Sequence, residues 1–255
     1  MFAIAFLLLC LVYALFEYQW FKVVRLNAHD FSNRAHFAKG MRVVFLSDFQ
    51  YDHKLVGFRH HAMRRLVKKV NRLKPDLIIL GGDIIHKKNH YHHLVFNYLE
   101  KFDAPMISIL GNHDYRDLEL VLSEFNKLGV TVLRNESIRF NEIQIVGFDK
   151  TCDERSNDFE FDEELFTIVV SHSPDFIVDH KIQGDIILSG HLHGGQINFF
   201  GLYAPITNSR YNQKFLHGLK SVEESKIYVS SGLGGYVGFL PIRFFVRPEI
   251  VCIDF

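Results

Sequence analysis

Residues 77–83 read LIILGGD, four apolar residues followed by two glycines and an aspartate. A short apolar run that ends at glycine predicts a buried β-strand. The stretches RVVFLSD at 42–48 and MISILGNHD at 106–114 repeat the arrangement, and each ends in polar residues. Patterns of helical period lie between and after these strands, at residues 59–74, 92–102 and 118–128. The first half of the chain therefore predicts an α/β fold.

The second half of the chain is richer in strands. After Gly129 one short helix is expected, at residues 175–180, among six apolar runs of strand length. These runs lie at residues 130–133, 143–147, 166–171, 186–189, 227–230 and 250–254. A mixed first half followed by a strand-rich second half predicts two sheets packed face to face, with helices outside.

Composition excludes several classes of protein. Lys and Arg together number 29, as do Asp and Glu, so there is no basic excess of the kind that a general nucleic-acid binder needs. The three cysteines form no close pair in the sequence. They exclude a disulfide framework and a cysteine-based zinc site. No nucleic acid and no protein partner is predicted.

The first sixteen residues, MFAIAFLLLCLVYALF, carry no charge. We expect an uncleaved membrane-anchor helix at residues 1–22, with an amphipathic surface helix or a cleaved signal as alternatives. A connecting segment at 23–40 and one catalytic domain at 41–255 would follow. Basic residues come after the apolar run rather than before it. The positive-inside rule therefore predicts that the domain lies on the cytoplasmic face of the inner membrane.

Two stretches are strongly charged. Residues 59–74 carry seven Lys and Arg residues and no acid, with apolar residues at helical spacing. This pattern predicts an amphipathic helix whose basic face is solvated or contacts anionic lipid headgroups. Residues 153–164 are rich in Asp and Glu and predict a solvated loop.

Polar side chains follow one predicted strand after another. They are Asp48, Asp83, Asn112, His172 and His191, with His193 two residues further on. A single strand-end aspartate is usually a helix cap or a turn residue, but each of these groups would be costly to bury alone. Together they offer carboxylate, amide and imidazole ligands, too many for one tetrahedral zinc. Two divalent ions would use them all and could activate water against a phosphoryl centre.

Five segments resemble the calcineurin-like metallophosphoesterase family. They are SDFQ at 47–50, GGD at 81–83, GNHD at 111–114, SH at 171–172 and GHLHGGQ at 190–196. GNHD and GHLHGGQ are the most specific of the five. The resemblance runs from about residue 42 to the C-terminus and implies a four-layer αββα sandwich.

The resemblance also implies a role for each residue. Asp48 and His193 would bind the first metal, Asp83 would bridge both metals, and Asn112, His172 and His191 would bind the second. His113 would hydrogen-bond the phosphate and protonate the leaving oxygen. Asp114 would orient His113.

One position departs from the family pattern. The first motif is usually Asp-x-His, whereas this chain has Gln50 at the third place. A glutamine carbonyl is a weaker metal ligand than imidazole, so the first metal would bind less tightly. His53 is a possible substitute at an unusual spacing. Manganese is the expected metal, with Mg²⁺, Fe²⁺ or Zn²⁺ as alternatives.

The C-terminal stretch, SSGLGGYVGFLPIRFFVRPEI at 230–250, resembles a membrane-associated bacterial branch of this family. That branch includes UDP-2,3-diacylglucosamine pyrophosphatases of lipid A synthesis. The resemblance implies cleavage of a lipid-linked nucleotide sugar at a membrane face. Another phosphodiester substrate, or a scaffold without activity, remains as an alternative.

Three apolar clusters and one arginine are candidates for contact with the substrate. The aromatic clusters at 199–200, 236–240 and 244–245 are candidates for contact with acyl chains, the last also for the core. Arg210 is a candidate phosphate ligand.

Overall fold

The computed structural model describes residues 2–52, 56–87, 91–149 and 161–255, of which 56–58 are described by backbone alone. Twelve strands lie in these ranges: β1 Lys22–Asn27, β2 Arg42–Leu46, β3 Leu77–Leu80, β4 Met106–Ser108, β5 Thr131–Val132, β6 Glu136–Phe140, β7 Ile143–Phe148, β8 Phe166–Ser171, β9 Ile186–Ser189, β10 Gly218–Val222, β11 Ser225–Val229 and β12 Glu249–Asp254. The α-helices are α1 Phe2–Tyr18, α2 Val56–Leu73, α3 Phe96–Leu99, α4 Leu118–Lys127 and α5 Pro174–His180.

The strands form two six-stranded mixed sheets. The first has the order β1-β12-β2-β3-β4-β5, in which β2 to β5 run parallel and β12 is antiparallel to β2. The second has the order β10-β11-β9-β8-β7-β6, with four parallel inner strands and an antiparallel hairpin at each edge. The predicted α/β class with two packed sheets is confirmed.

Alternating side chains explain how the layers stack. In β2, Val43 and Phe45 belong to the cluster between the sheets, whereas Val44 and Leu46 pack on the other face with α2. Because successive side chains of a strand point to opposite faces, this apolar strand is buried on both sides. The second sheet is covered on its outer face by α5 and an irregular segment that contributes Phe215. Among the described residues, this outer layer combines one short helix, α5, with irregular chain.

Several elements differ from the prediction. The helix expected at 92–102 is a 3₁₀ turn at His92–Val95 followed by the four-residue α3. Strands β1, β6 and β10 were not predicted. All three lie at sheet edges, where the apolar pattern is interrupted by polar residues.

The N-terminal segment is an apolar helix, α1, that ends at Tyr18 rather than at residue 22. Within the described ranges, no helix has both the length and the apolar character needed to cross a bilayer. Strand β1, which pairs in parallel with β12, lies largely within the predicted connecting segment at 23–40. The first sheet therefore includes residues that the sequence analysis placed outside the domain.

Glu249 of β12 forms an ion pair with Lys22 of β1, and its replacement tests how much this contact stabilises the fold. Its fully buried carboxylate lies 2.8 Å from the Lys22 ammonium and accepts hydrogen bonds from the Ser231 amide and the Tyr228 hydroxyl. Replacing Glu249 by Ala leaves these donors unpaired, so we expect the free energy of unfolding to fall by about 3 kcal/mol. Urea denaturation measures the loss. Glu142→Ala, which breaks an exposed ion pair with Arg139, is the matched control; similar losses in both variants would contradict the buried-pair interpretation.

Candidate metal centre

The predicted site residues lie where the two sheets meet at one end of the sandwich. The loops after β2, β3 and β4 come from the first sheet, and the loops after β8 and β9 come from the second. The loops contact each other directly. His172 Nδ1 donates to the Gly81 carbonyl at 2.8 Å, and the His191 amide donates to both Asp48 carboxylate oxygens at 3.1 Å. Residues more than 140 positions apart in the sequence are therefore first neighbours.

Asp83 lies at the centre of the group. Its Oδ1 accepts a hydrogen bond from the His113 amide at 2.7 Å. Its Oδ2 accepts one from Gln50 Nε2 at 3.0 Å and lies 3.3 Å from His172 Nε2. The side chain is almost completely buried. This position, between residues from both sheets, agrees with the bridging role implied by the resemblance.

Five of the predicted ligands adopt left-handed backbone conformations. Their φ angles lie between +40° and +71°: Asp48, Gln50, Asp83, His191 and His193. For residues with a side chain this region costs roughly 1–2 kcal/mol each. Such conformations cluster at functional sites because the surrounding structure must hold them there. These backbone conformations therefore lower the stability of the loops, but they place the side chains in the site.

Two glycines permit the close approach of the loops. A Cβ on Gly111 would lie 2.2 Å from Asp83 Oδ1, and a Cβ on Gly190 would lie 2.3 Å from Asp48 Oδ2. Both separations are far below van der Waals contact. The motifs GNHD and GHLHGGQ therefore require glycine at these positions for steric reasons.

The buried charges of the site change one another's pKa values. Burial alone would lower the pKa of His172, but attraction to Asp83 outweighs it and raises this pKa to about 10. Burial would raise the pKa of Asp83, but the His172 charge opposes it and lowers this pKa. Burial raises the pKa of Asp48 to about 6 and lowers that of His191 to about 4. The site thus favours positive charge beside Asp83.

The donor set fits divalent cations. Ligand atoms of Asp83, His172 and His191 all lie within 4.8 Å of one another. His193 Nε2 lies 3.8 Å from Asp48 Oδ1. Among the described residues, the buried Asn112 Oδ1 and His193 Nδ1 have no hydrogen-bond partner. Buried polar atoms are normally partnered, and a carboxylate, amide and imidazole set is suited to Mn²⁺, Fe²⁺, Zn²⁺ or Mg²⁺.

His113 lies beside Asp83, but Asp114 does not orient it as predicted. The Asp114 carboxylate accepts from the backbone amides of Asp83, Ile84, Ile85 and Gly111. His113 Nδ1 instead contacts the His86 carbonyl at 2.6 Å. Asp114 therefore shapes the loop after β3. A carboxylate next to a functional histidine often orients it. Here the backbone amides of this loop bind the Asp114 carboxylate instead.

Two buried arginines support the site, and sequence reasoning missed both. Arg59 is 3% exposed, and its guanidinium donates to the Phe49 and Gln50 carbonyls. Arg243 is fully buried and donates to the His193 and Gly234 carbonyls. Burial lowers the pKa of both.

The sequence gives little sign of either role. Arg59 begins a run of seven cations whose other members suggest a solvated face, so its placement on that face was wrong. Arg243 belongs to the stretch PIRFFVRPEI, whose resemblance to the membrane-associated branch was the one signal that pointed to it.

Two cavities flank the ligands. One, of about 410 Å³, is lined by Asn112, His172 and His191 and is called the His191 cavity here. The other, of about 320 Å³, is lined by Gln50, His113, His193 and several apolar residues and is called the His193 cavity. Of the predicted ligands, Gln50 and His193 thus line one cavity, and Asn112, His172 and His191 line the other.

The candidate substrate contacts divide between these cavities. Arg210 lines the His191 cavity, where it forms ion pairs with Asp175 and Asp179. Tyr236 lines the His193 cavity, and Phe239 is 69% exposed. Phe244 and Phe245 are half-buried rather than core residues, and both rings contact Tyr13 of α1. His53 and most of the acidic stretch 153–164 lie outside the described residues.

Comparison with known proteins agrees with the geometry. The family model for calcineurin-like phosphoesterases matches residues 41–195. The chain is 31% identical over 229 residues to "Uncharacterized metallophosphoesterase YkuE" of Bacillus subtilis, covering 83% of this chain and 77% of that protein. It is 31% identical to "Uncharacterized metallophosphoesterase" of Helicobacter pylori, covering 83% of this chain and 59% of that protein.

A third relative has a named activity. The chain is 28% identical over 296 residues to "UDP-2,3-diacylglucosamine pyrophosphatase LpxG" of Chlamydia trachomatis. The alignment covers 90% of this chain and 87% of that protein.

Replacing Asp83 by Ala tests the centre of the site. Removing the carboxylate that is predicted to bridge both metals should abolish metal binding and hydrolysis of a bis-aryl phosphate. Metal content by mass spectrometry and initial rates measure the two effects. Asp185→Asn, which alters a buried carboxylate paired with Arg34 away from the site, is the control. Activity above about a tenth of wild type in Asp83→Ala would contradict the bridging role.

Proposed function

This chain belongs to the calcineurin-like phosphoesterase family and is a hydrolase of phosphoric esters, and on that premise we propose its substrate. We propose that it cleaves the pyrophosphate of UDP-2,3-diacylglucosamine. The products are UMP and 2,3-diacylglucosamine 1-phosphate, a step in lipid A biosynthesis. The observation that carries the proposal is that the predicted ligands lie between two cavities, one with the rings of Phe148 and Phe176 and the other with the apolar side chains of Leu192, Ile197, Ile206 and Val237.

Seven side chains would hold two divalent ions. Asp48, Gln50 and His193 belong to the first position, Asp83 to both, and Asn112, His172 and His191 to the second. When bound, the ions would neutralise charge on the phosphoryl group and lower the pKa of the attacking water. The chain itself orients the ligands: the Gly81 carbonyl holds His172 Nδ1, which leaves Nε2 toward Asp83.

His113 is the proposed acid. Its Nδ1 contacts the His86 carbonyl, so Nε2 is the ring nitrogen left for substrate. Burial lowers the pKa of His113, whereas an incoming phosphate anion favours the protonated imidazole. In hydrolysis, water loses a proton to solvent as its oxygen adds to one phosphorus. The P–O bond to the bridging oxygen of the pyrophosphate breaks, that oxygen takes the proton from Nε2, and solvent reprotonates the imidazole.

The two cavities suit the two ends of the proposed substrate. The His193 cavity includes Leu192, Ile197, Ile206 and Val237, apolar side chains that would receive the acylated sugar. The His191 cavity combines the rings of Phe148 and Phe176 with polar groups, which suits a nucleotide. The activity named for the Chlamydia trachomatis relative supports the same substrate class.

The proposed location is the cytoplasmic face of the inner membrane. Support comes from the apolar α1, most of whose large side chains are exposed, and from the basic residues that follow it in the sequence. A lipid-linked substrate would be reached from that surface.

The decisive test is release of UMP. Detergent-purified full-length protein is incubated with UDP-2,3-diacylglucosamine, with and without Mn²⁺, beside Asp83→Ala and a bis-aryl phosphate. We expect UMP only when both the metal and Asp83 are present. Cleavage of the bis-aryl phosphate without UMP release would retain the two-metal hydrolase and discard this substrate in favour of another phosphodiester.

Replacing His113 by Ala tests the proposed acid. Because the His113 side chain is not a predicted metal ligand, metal content should be unchanged while kcat falls by about 10²–10⁴-fold. Steady-state kinetics and metal analysis on the same preparation separate the two effects. A parallel loss of metal would instead place His113 among the ligands.

A further inference from the structure

Helix α1 carries an unusually large exposed apolar surface. Phe2, Ile4, Phe6, Leu9, Val12 and Phe16 are all more than half exposed. Monomeric soluble domains rarely expose contiguous apolar patches of this kind without a binding role. Only Ala14, Glu17 and Tyr18 of this helix are buried.

The domain holds α1 by its last turns. The Arg243 amide donates to the Ala14 carbonyl at 3.1 Å, and the Phe245 amide donates to Glu17 Oε2 at 2.6 Å. The remaining turns therefore extend away from these contacts. The apolar stretch from Phe2 to Phe16 is about 21 Å long at 1.5 Å per residue.

Cations gather where α1 joins the domain. The Arg247 guanidinium lies 3.9 Å from the centre of the Trp20 ring and donates to the Trp20 carbonyl. Lys69 Nζ donates to the Phe21 carbonyl at 2.5 Å. Arg65 lies one helical turn before Lys69 on α2 and is exposed. We call Trp20, Arg65, Lys69 and Arg247 the basal cluster.

The basal cluster carries three cations, Arg65, Lys69 and Arg247. Among the described residues, no carboxylate forms an ion pair with Arg65, Lys69 or Arg247. Burial lowers the pKa of Lys69, and the nearby charges of Arg247 and Arg65 lower it further. Lys69 and Arg247 are held by the Phe21 and Trp20 carbonyls and by the Trp20 ring, and Arg65 is exposed nearby. These three like charges favour an anionic ligand.

We propose that the basal cluster binds the phosphate groups of anionic phospholipids while the apolar part of α1 lies among the acyl chains of the same leaflet. Trp20, 44% exposed, has the amphipathic ring that is typical of the headgroup region. With the cluster at headgroup level, the apolar stretch is long enough to cross the hydrocarbon of one leaflet, about 15 Å.

The same apolar surface continues toward the active site. Phe245 contacts Tyr13 of α1, and the Phe200 ring stacks on Phe245 with centroids 4.5 Å apart. Ile206, 68% exposed, belongs to the segment after Phe200 and lines the His193 cavity. A leaflet seated on α1 would therefore lie next to the opening of that cavity. This inference deepens the proposed membrane location.

Vesicle flotation with EDTA present tests the site without turnover, so its failure is distinguishable from failure of the proposed reaction. Full-length protein is compared on vesicles of phosphatidylcholine alone and vesicles that also contain phosphatidylglycerol. We expect preferential binding to the anionic vesicles. Lys69→Gln with Arg247→Gln should weaken that binding by about tenfold or more.

The control has the same charge change elsewhere. Lys127→Gln with Arg139→Gln removes two exposed cations, on α4 and β6. It should bind anionic vesicles as wild type does, and both double variants should retain bis-aryl phosphate hydrolysis, which reports folding. With Lys69 unchanged, Arg247→Lys should bind anionic vesicles more tightly than Arg247→Gln does, because it keeps the positive charge.

Three results would overturn the proposal. Equal weakening in the control pair would indicate general charge attraction. Equal binding to both kinds of vesicle would indicate that α1 inserts without a headgroup site. Self-association through α1 without vesicle binding, seen by analytical ultracentrifugation, would assign the apolar surface to a second copy of the chain.

Discussion

The burial of three carboxylates at one end of a β-sandwich is the constraint on which the rest of the structure depends. Asp48, Asp83 and Asp114 are almost fully buried within a small volume. Uncompensated charges in such a place would be strongly destabilising. Asp114 is compensated by backbone amides, and Asp83 by His172 and the His113 amide. The remaining donor atoms form a set that fits divalent cations.

Compensation of these charges requires loops with a defined backbone conformation, and neighbouring buried side chains hold these loops in place. Left-handed residues aim the ligands, and glycines allow the loops to touch. Arg59 and Arg243 then hold the carbonyls of the loops that carry Gln50 and His193. The same two arginines contact α1, because Arg59 lies over the Tyr18 ring and the Arg243 amide donates to Ala14. The helix that carries the apolar surface is thus part of the support of the site.

Sequence reasoning located the candidate residues from residue type and local order. Asp48, Asp83, Asn112, His172, His191 and His193 each follow a strand, and the structure brings them together. It failed where the partner of a side chain is set by distant backbone. Asp114 binds the amides of the loop after β3 rather than His113, and Arg59 is buried although its neighbours in the sequence are solvated. Neither partner is visible in a local pattern.

The sequence by itself determined the α/β class, which strands end in candidate ligands, and the chemistry of those side chains, because hydrophobic period and residue type are local properties. Only the tertiary structure decided which buried charges pair, which candidate ligands line which cavity, and how α1 is attached. These depend on contacts between the ends of two sheets, such as that of His191 with Asp48. Such contacts join residues that are remote in the chain, and their geometry follows from packing rather than from any single segment.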